Sequence, residues 1–105
     1  INNNANLRMI KSLLKIFPNN LIGYSDHTLP DQNMNSLISA YLLGAVIIEK
    51  HFTYDKTLPG NDHYHSMDII DLKNLKKSLK NINELLGSSN IKKPIQTELN
   101  FFKFV

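Results

Sequence analysis

Gly44-Ala45-Val46-Ile47-Ile48-Glu49-Lys50-His51-Phe52-Thr53 is the stretch on which the reading of the fold turns. An apolar, β-branched run after a glycine reads as a buried strand, and parallel strands covered on both faces have this composition. The pattern breaks at its C-terminal end, where Glu49, Lys50 and His51 follow directly on the apolar run. Strand side chains alternate, so Ala45, Ile47, Glu49 and His51 share one face and Val46, Ile48, Lys50 and Phe52 the other. A carboxylate and an imidazole thus leave one face at the tip of a buried strand, where α/β proteins bind ligands.

Working back along the chain, Leu21-Ile22-Gly23-Tyr24-Ser25-Asp26 is a second candidate strand. Here Gly23, Ser25 and His27 share a face, with Tyr24 and Asp26 on the other. Between the two strands, Asp31 or Asn33 is placed to cap a helix reaching about Leu43, with Met34, Leu37, Ile38, Tyr41 and Leu42 as its apolar side. Gly44 closes it. Strand, helix, strand over about thirty residues is a βαβ unit, which makes the strands parallel.

Ahead of this unit, Leu7, Ile10, Leu13, Leu14 and Phe17 form the stripe of a helix expected from Ala5 to Phe17, capped by Asn4 and stopped by Pro18. After it, Tyr54 to Met67 is a polar loop long enough to suggest function. A last helix, capped by Ser66 or Asp68, runs to about Leu86 on Ile69, Leu72, Leu75, Leu79, Ile82 and Leu86, with Gly87 as its stop. The tail ends in Phe101-Phe102-Lys103-Phe104-Val105, aromatics that call for a partner surface. Two strands and three helices cannot cover both faces of a sheet, and the helix–strand alternation is the grammar of a larger α/β fold. The chain therefore reads as an excerpt, an expectation that the opening Ile1-Asn2-Asn3-Asn4, without initiator Met or signal pattern, supports. A two-stranded sheet with bare edges is expected to fold poorly alone.

A chain of 105 residues, 42% of them hydrophobic, has material for one small core. No apolar run approaches the roughly 20 residues that span a bilayer, so no membrane partner is expected. With no cysteine, any metal site must use nitrogen and oxygen ligands, and a cytoplasmic setting is the default. The net charge of +3 does not argue for nucleic acid. Lys73, Lys76, Lys77 and Lys80 fit the solvated side of the last helix, and no binding motif or aromatic interleaving accompanies them.

Ser25-Asp26-His27 invites a Ser-His-Asp reading, but Asp26 projects away from the other two, so nucleophile, base and orienter cannot line up. His27 and His51 are better matched. Each ends a parallel strand two positions after a polar residue on its own face, where two imidazoles can converge on one divalent cation or each simply hydrogen-bond. Glu49, one pleat below His51, is placed to ligate, hold a water or act as a base. On the loop, Asp62 is a better candidate than His63 or His65, because the Pro59-Gly60 turn can fold it back over the strand ends. Lys50 faces the helix layer and is expected to pair with an acid, Asp26 being the candidate.

Taken in order, Gly23-Tyr24-Ser25-Asp26-His27-Thr28, Leu43-Gly44-Ala45, Ile48-Glu49-Lys50-His51-Phe52-Thr53 and Pro59-Gly60-Asn61-Asp62-His63 resemble the N-acetylneuraminate (sialic acid) synthase family, with its pseudaminic, legionaminic and spore-coat polysaccharide branches. The resemblance runs from about Leu7 to Glu98. It implies a TIM (β/α)8 barrel, of which residues 1–87 would be the last two strands with three helices, and 88–105 a tail leading toward an antifreeze-like domain. It implies condensation of phosphoenolpyruvate with an N-acetylated amino sugar of the N-acetylmannosamine type, with Mn²⁺ or Mg²⁺ as cofactor, in a homodimer. By motif, His27 and His51 would be the metal ligands and Glu49 and His51 the catalytic pair. Ser25 would contact phosphoenolpyruvate, and Asp62, with His63 beside it, the amino sugar. The earlier strands with their phosphate-binding lysines are not in this stretch, so it is not expected to turn over alone. The alternative is a non-catalytic metal-binding or partner-docking α/β module that keeps the motifs.

Overall fold

The computed structural model of the chain describes residues 2–60 and 62–88. After a 3-10 turn at Asn2–Asn4 come α1 (Met9–Ile16), β1 (Gly23–Asp26), α2 (Asn35–Leu43), β2 (Ile47–Lys50) and α3 (Ile69–Leu86). The two strands pair in parallel, with Gly23 opposite Ile47, Tyr24 opposite Ile48, Ser25 opposite Glu49 and Asp26 opposite Lys50. The architecture is α/β, as the βαβ reading requires. Residues 89–105, which include the Phe101-to-Val105 segment and nearly all of the expected tail, lie outside the described residues.

Most of the expected punctuation is present. Gly44, at φ +114°, donates its N–H to Tyr41 O while the N–H of Ala45 reaches Ala40 O, the paired bonds of a Schellman stop. Of the two candidate caps for α2, the Asp31 carboxylate is the one that accepts, from the N–H of Asn35 at 2.9 Å. For α3 it is Asp68: its side chain accepts from the N–H of Asp71 while the Asp71 carboxylate accepts from the N–H of Asp68, a reciprocal box. Gly87 ends that helix.

The first helix is shorter than its apolar spacing predicts. Asn6 sits in the left-handed region at φ +47°, a conformation asparagine tolerates better than most residues, and the α-helix begins only at Met9. Ile10 is buried and Leu7, Leu13 and Leu14 pack around it, but Phe17 is half-exposed.

Two apolar clusters make up the core among the described residues. Ile10, Ile22, Ala40 and Ala45 form one; Met34, Leu37 and Met67 form the other, extended by Leu72 and Leu75 of α3. Tyr24 packs against both. All four lysines of α3 are exposed, as its amphipathic pattern requires.

The expectation of a strand covered on both faces is corrected. Val46 is 63% and Ile47 56% exposed, and Ile48 and Phe52 are also open to solvent. The β-branched run thus carries the composition of a buried strand while much of its apolar surface stays open among the described residues. Only the end of the long loop adds to the sheet. Phe52 and Met67 form an isolated parallel bridge, in which the N–H of Met67 donates to His51 O and that of Thr53 to Met67 O, each at 2.8 Å.

Candidate functional site

The register sorts the strand tips into two chemically distinct sides. Toward α2, Lys50 Nζ lies 2.6 Å from Asp26 Oδ2, with side-chain exposures of 1% and 0%. Tyr24, Thr28 and Ser36 hydroxyls also donate to the Asp26 carboxylate, and Lys50 donates a second bond to Thr28 O at 2.8 Å. Burial alone would push the Asp26 carboxyl up; the bonds from Lys50, Tyr24 and Thr28 and the lysine charge outweigh it and hold the carboxyl below its ordinary value. Burial, then the hydrogen bond and charge of Asp26, push the Tyr24 phenol well above its usual value. Asp26 is thus spent on structure, as the alternation argument against a Ser-His-Asp triad requires.

On the opposite side Ser25 and Glu49 face each other, and the Ser25 hydroxyl donates to Glu49 Oε2. Both residues are exposed. One residue beyond the paired segment, His27 and His51 stand with ring centroids 5.5 Å apart. Two imidazoles bonded to one ion at about 2.1 Å have ring centres about 4.5–6 Å apart, depending on the angle at the ion, so this pair has the spacing of two ligands.

The long loop brings a third ring. His65 lies 5.8 Å from His27 and 6.0 Å from His51, centroid to centroid, edge-on to both. It is buried, and its Nδ1 has no hydrogen-bond partner. Asp62, although exposed, places Oδ1 3.7 Å from His65 Nε2, a contact within the loop itself. His63 goes elsewhere: its Nδ1 shares a hydrogen bond of 3.0 Å with the Thr53 hydroxyl, bracing the loop. Lys56 ties the same loop to α3 through Asp71 at 2.5 Å.

The donor set suits a hard or borderline divalent cation, with nitrogen and carboxylate ligands and no thiolate. As the rings stand, no three such groups among the described residues close around one point. His27 and His51 are the pair whose spacing fits directly, leaving the rest of a shell to waters or substrate oxygens. Sequence reasoning ranked His65 behind Asp62. The signal that would have raised it is the parallel bridge at Met67, which no local pattern reveals.

Comparison with known proteins decides the family. A profile of the NeuB family matches residues 2–91. The chain belongs to the NeuB family. It is 49% identical over 78 residues to the N,N'-diacetyllegionaminic acid synthase of Legionella pneumophila, covering 74% of this chain and 21% of that one. The crystal structure of the spore coat polysaccharide biosynthesis protein SpsE of Bacillus subtilis superposes with a TM-score of 0.69 at 37% identity, covering 90% of this chain and 26% of that one. The N-acetylneuraminic acid synthetase of Leptospira borgpetersenii gives 0.71 at 33%, covering 96% and 34%. This NeuB chain spans between 21% and 34% of the length of these relatives. Among its described residues no helix is long and apolar enough to cross a membrane.

Proposed function

We propose that this chain is the C-terminal part of the TIM barrel of a nonulosonate synthase, which joins phosphoenolpyruvate to an N-acetylated amino sugar of the N-acetylmannosamine type. The observation that carries the reading is the His27–His51 pair, 5.5 Å apart at the C-terminal ends of adjacent parallel strands, with a Ser25–Glu49 pair directly below it. Barrel enzymes place their chemistry at that end of the strands. The NeuB match and the synthase names of the relatives support the substrate class.

His27 and His51 would hold Mn²⁺ or Mg²⁺, which supplies Lewis-acid polarisation of the sugar's open-chain aldehyde. Ser25 orients phosphoenolpyruvate through its hydroxyl, and Asp62 receives the amino sugar at the loop. The C3 carbon of phosphoenolpyruvate forms the new bond to the aldehyde carbon, water adds at C2, and the C2–O bond breaks to release phosphate. Glu49, already within hydrogen-bond reach of Ser25, is the carboxylate placed to take the proton of that water. By the same family resemblance, the enzyme is a cytoplasmic homodimer.

The test uses the full-length protein with phosphoenolpyruvate and N-acetylmannosamine or a diacetamido analogue. Phosphate release matched by nonulosonate formation, lost on chelation and in His27→Ala and His51→Ala, is the expected result. Absence of product with every N-acetylated sugar would sink the assignment.

A further inference from the structure

The loop after β2 closes on its own stem. The N–H of Met67 donates to His51 O and that of Thr53 to Met67 O, so residues 51–53 and 67 meet at its base. Just inside the base, Thr53 is buried and its hydroxyl is fully hydrogen-bonded. It donates to Asp55 O at 3.0 Å, accepts from the N–H of Asp55 at 3.2 Å, and lies 3.0 Å from His63 Nδ1. A carbonyl can only accept, so the single hydroxyl proton goes to Asp55 O and the bond to His63 has to come from the ring. His63 therefore carries a proton on Nδ1 and donates it to Thr53. The next turn is held as well. The Asp62 carbonyl accepts from the hydroxyl of buried Ser66, and the His63 carbonyl accepts from the N–H of Ser66 at 3.3 Å. The backbone around Asp62 is thus tied down on both sides, while its side chain stays 68% exposed. A carboxylate presented on a pinned backbone is placed to meet a ligand.

We propose that His63 is the positioning residue of the amino-sugar subsite: its Nδ1–H bond to Thr53 locks the loop to the end of the strand that carries His51, and so holds Asp62 in place relative to His51. This rests on the reading of Asp62 as the group that receives the amino sugar. Direct contact between His63 and the sugar is a weaker account. Its Nδ1 is engaged with Thr53, and the far edge of the ring lies against the turn, where a Cβ at Gly60 would stand 3.3 Å from Cδ2 and 3.8 Å from Nε2.

The experiment is steady-state kinetics of the full-length protein with phosphoenolpyruvate and the N-acetylated sugar. His63→Ala should raise KM for the sugar about 10-fold or more, with Mn²⁺ affinity and KM for phosphoenolpyruvate unchanged. His63→Asn keeps an N–H near the Nδ1 position and should recover most of the loss; His63→Gln, whose amide reaches further out, should not. Thr53→Val should reproduce the His63→Ala effect, and the double variant should be no worse than either single one. Additive losses would mean that His63 acts on the sugar itself, which overturns the proposal, as would a His63→Asn enzyme as impaired as His63→Ala. If Asp62→Ala raises KM for the sugar and His63→Ala does not, only this inference falls. If Asp62→Ala leaves it unchanged, the subsite is misread and the inference falls with it. Should the His63 variants fail to fold, nitrogen-15 NMR of the wild-type imidazole decides: a proton on Nδ1 supports the bond to Thr53, and a bare Nδ1 overturns it.

Discussion

Lys50 and Asp26 face each other across the parallel ladder at 2.6 Å, one residue from Ser25 and Glu49 but on the opposite side of the sheet. The alternation of two four-residue strands therefore separates a buried structural ion pair from an exposed, chemically available pair. Each can be perturbed without touching the other.

Removing one member of the buried pair leaves the other charge uncompensated. Lys50→Met or Asp26→Asn should destabilise the full-length protein by about 3–5 kcal/mol. The combined Lys50→Met, Asp26→Leu variant should lose much less than the two single changes together, because no lone charge remains. Denaturant unfolding of the set checks this, and additive losses would show that the side chains act independently.

The sign of the acid dependence follows from Asp26. Its folded pKa lies below the ordinary 3.8, so the unfolded chain takes up its proton first as pH falls. Its contribution is complete above about pH 4 and is lost as pH falls below 3.8 through the folded value. Unfolding free energy measured from pH 6 to pH 2.5 should fall more steeply in the wild type than in Asp26→Asn. Parallel curves would assign the acid limb to other groups.

Gly44 is constrained twice over. Its φ of +114° disfavours any side chain, and a Cβ built there would lie 2.6 Å from Leu14 Cδ1 of the first helix. Gly44→Ala should cost about 1–3 kcal/mol. Adding Leu14→Ala relieves the clash but not the backbone strain, so the Gly44 penalty measured in that background should shrink without vanishing. Thermal melts of the four variants suffice.

Glu49 is exposed, so its loss should be felt in chemistry and not in stability. Glu49→Gln is expected to lower kcat of the condensation about 10²-fold or more with an unchanged melting temperature. Ser25→Ala should act mainly through the KM for phosphoenolpyruvate. A Glu49→Gln enzyme with full kcat would remove the carboxylate from the proposed mechanism.

Much of this was legible in residue order. Alternation in Tyr24-Ser25-Asp26-His27 and Ile48-Glu49-Lys50-His51 was enough to pair Asp26 with Lys50 and to put both histidines on the other side. Gly44, Asp68 and Gly87 read correctly as helix punctuation because capping is local, resting on hydrogen bonds within a few residues. The start of the first helix did not read correctly, because an apolar stripe does not register the left-handed turn at Asn6.

By itself, then, the order of residues determined the βαβ unit, the sides of its strands and the polar groups at their tips, all consequences of side-chain period and short-range hydrogen bonding. Only the tertiary structure decided what meets across the chain. The register that sets Ser25 opposite Glu49 joins residues 24 apart, and the parallel bridge at Phe52 and Met67 carries His65 to His27 and His51. Such contacts arise from backbone pairing between distant segments, which leaves no periodic mark in the sequence that makes them.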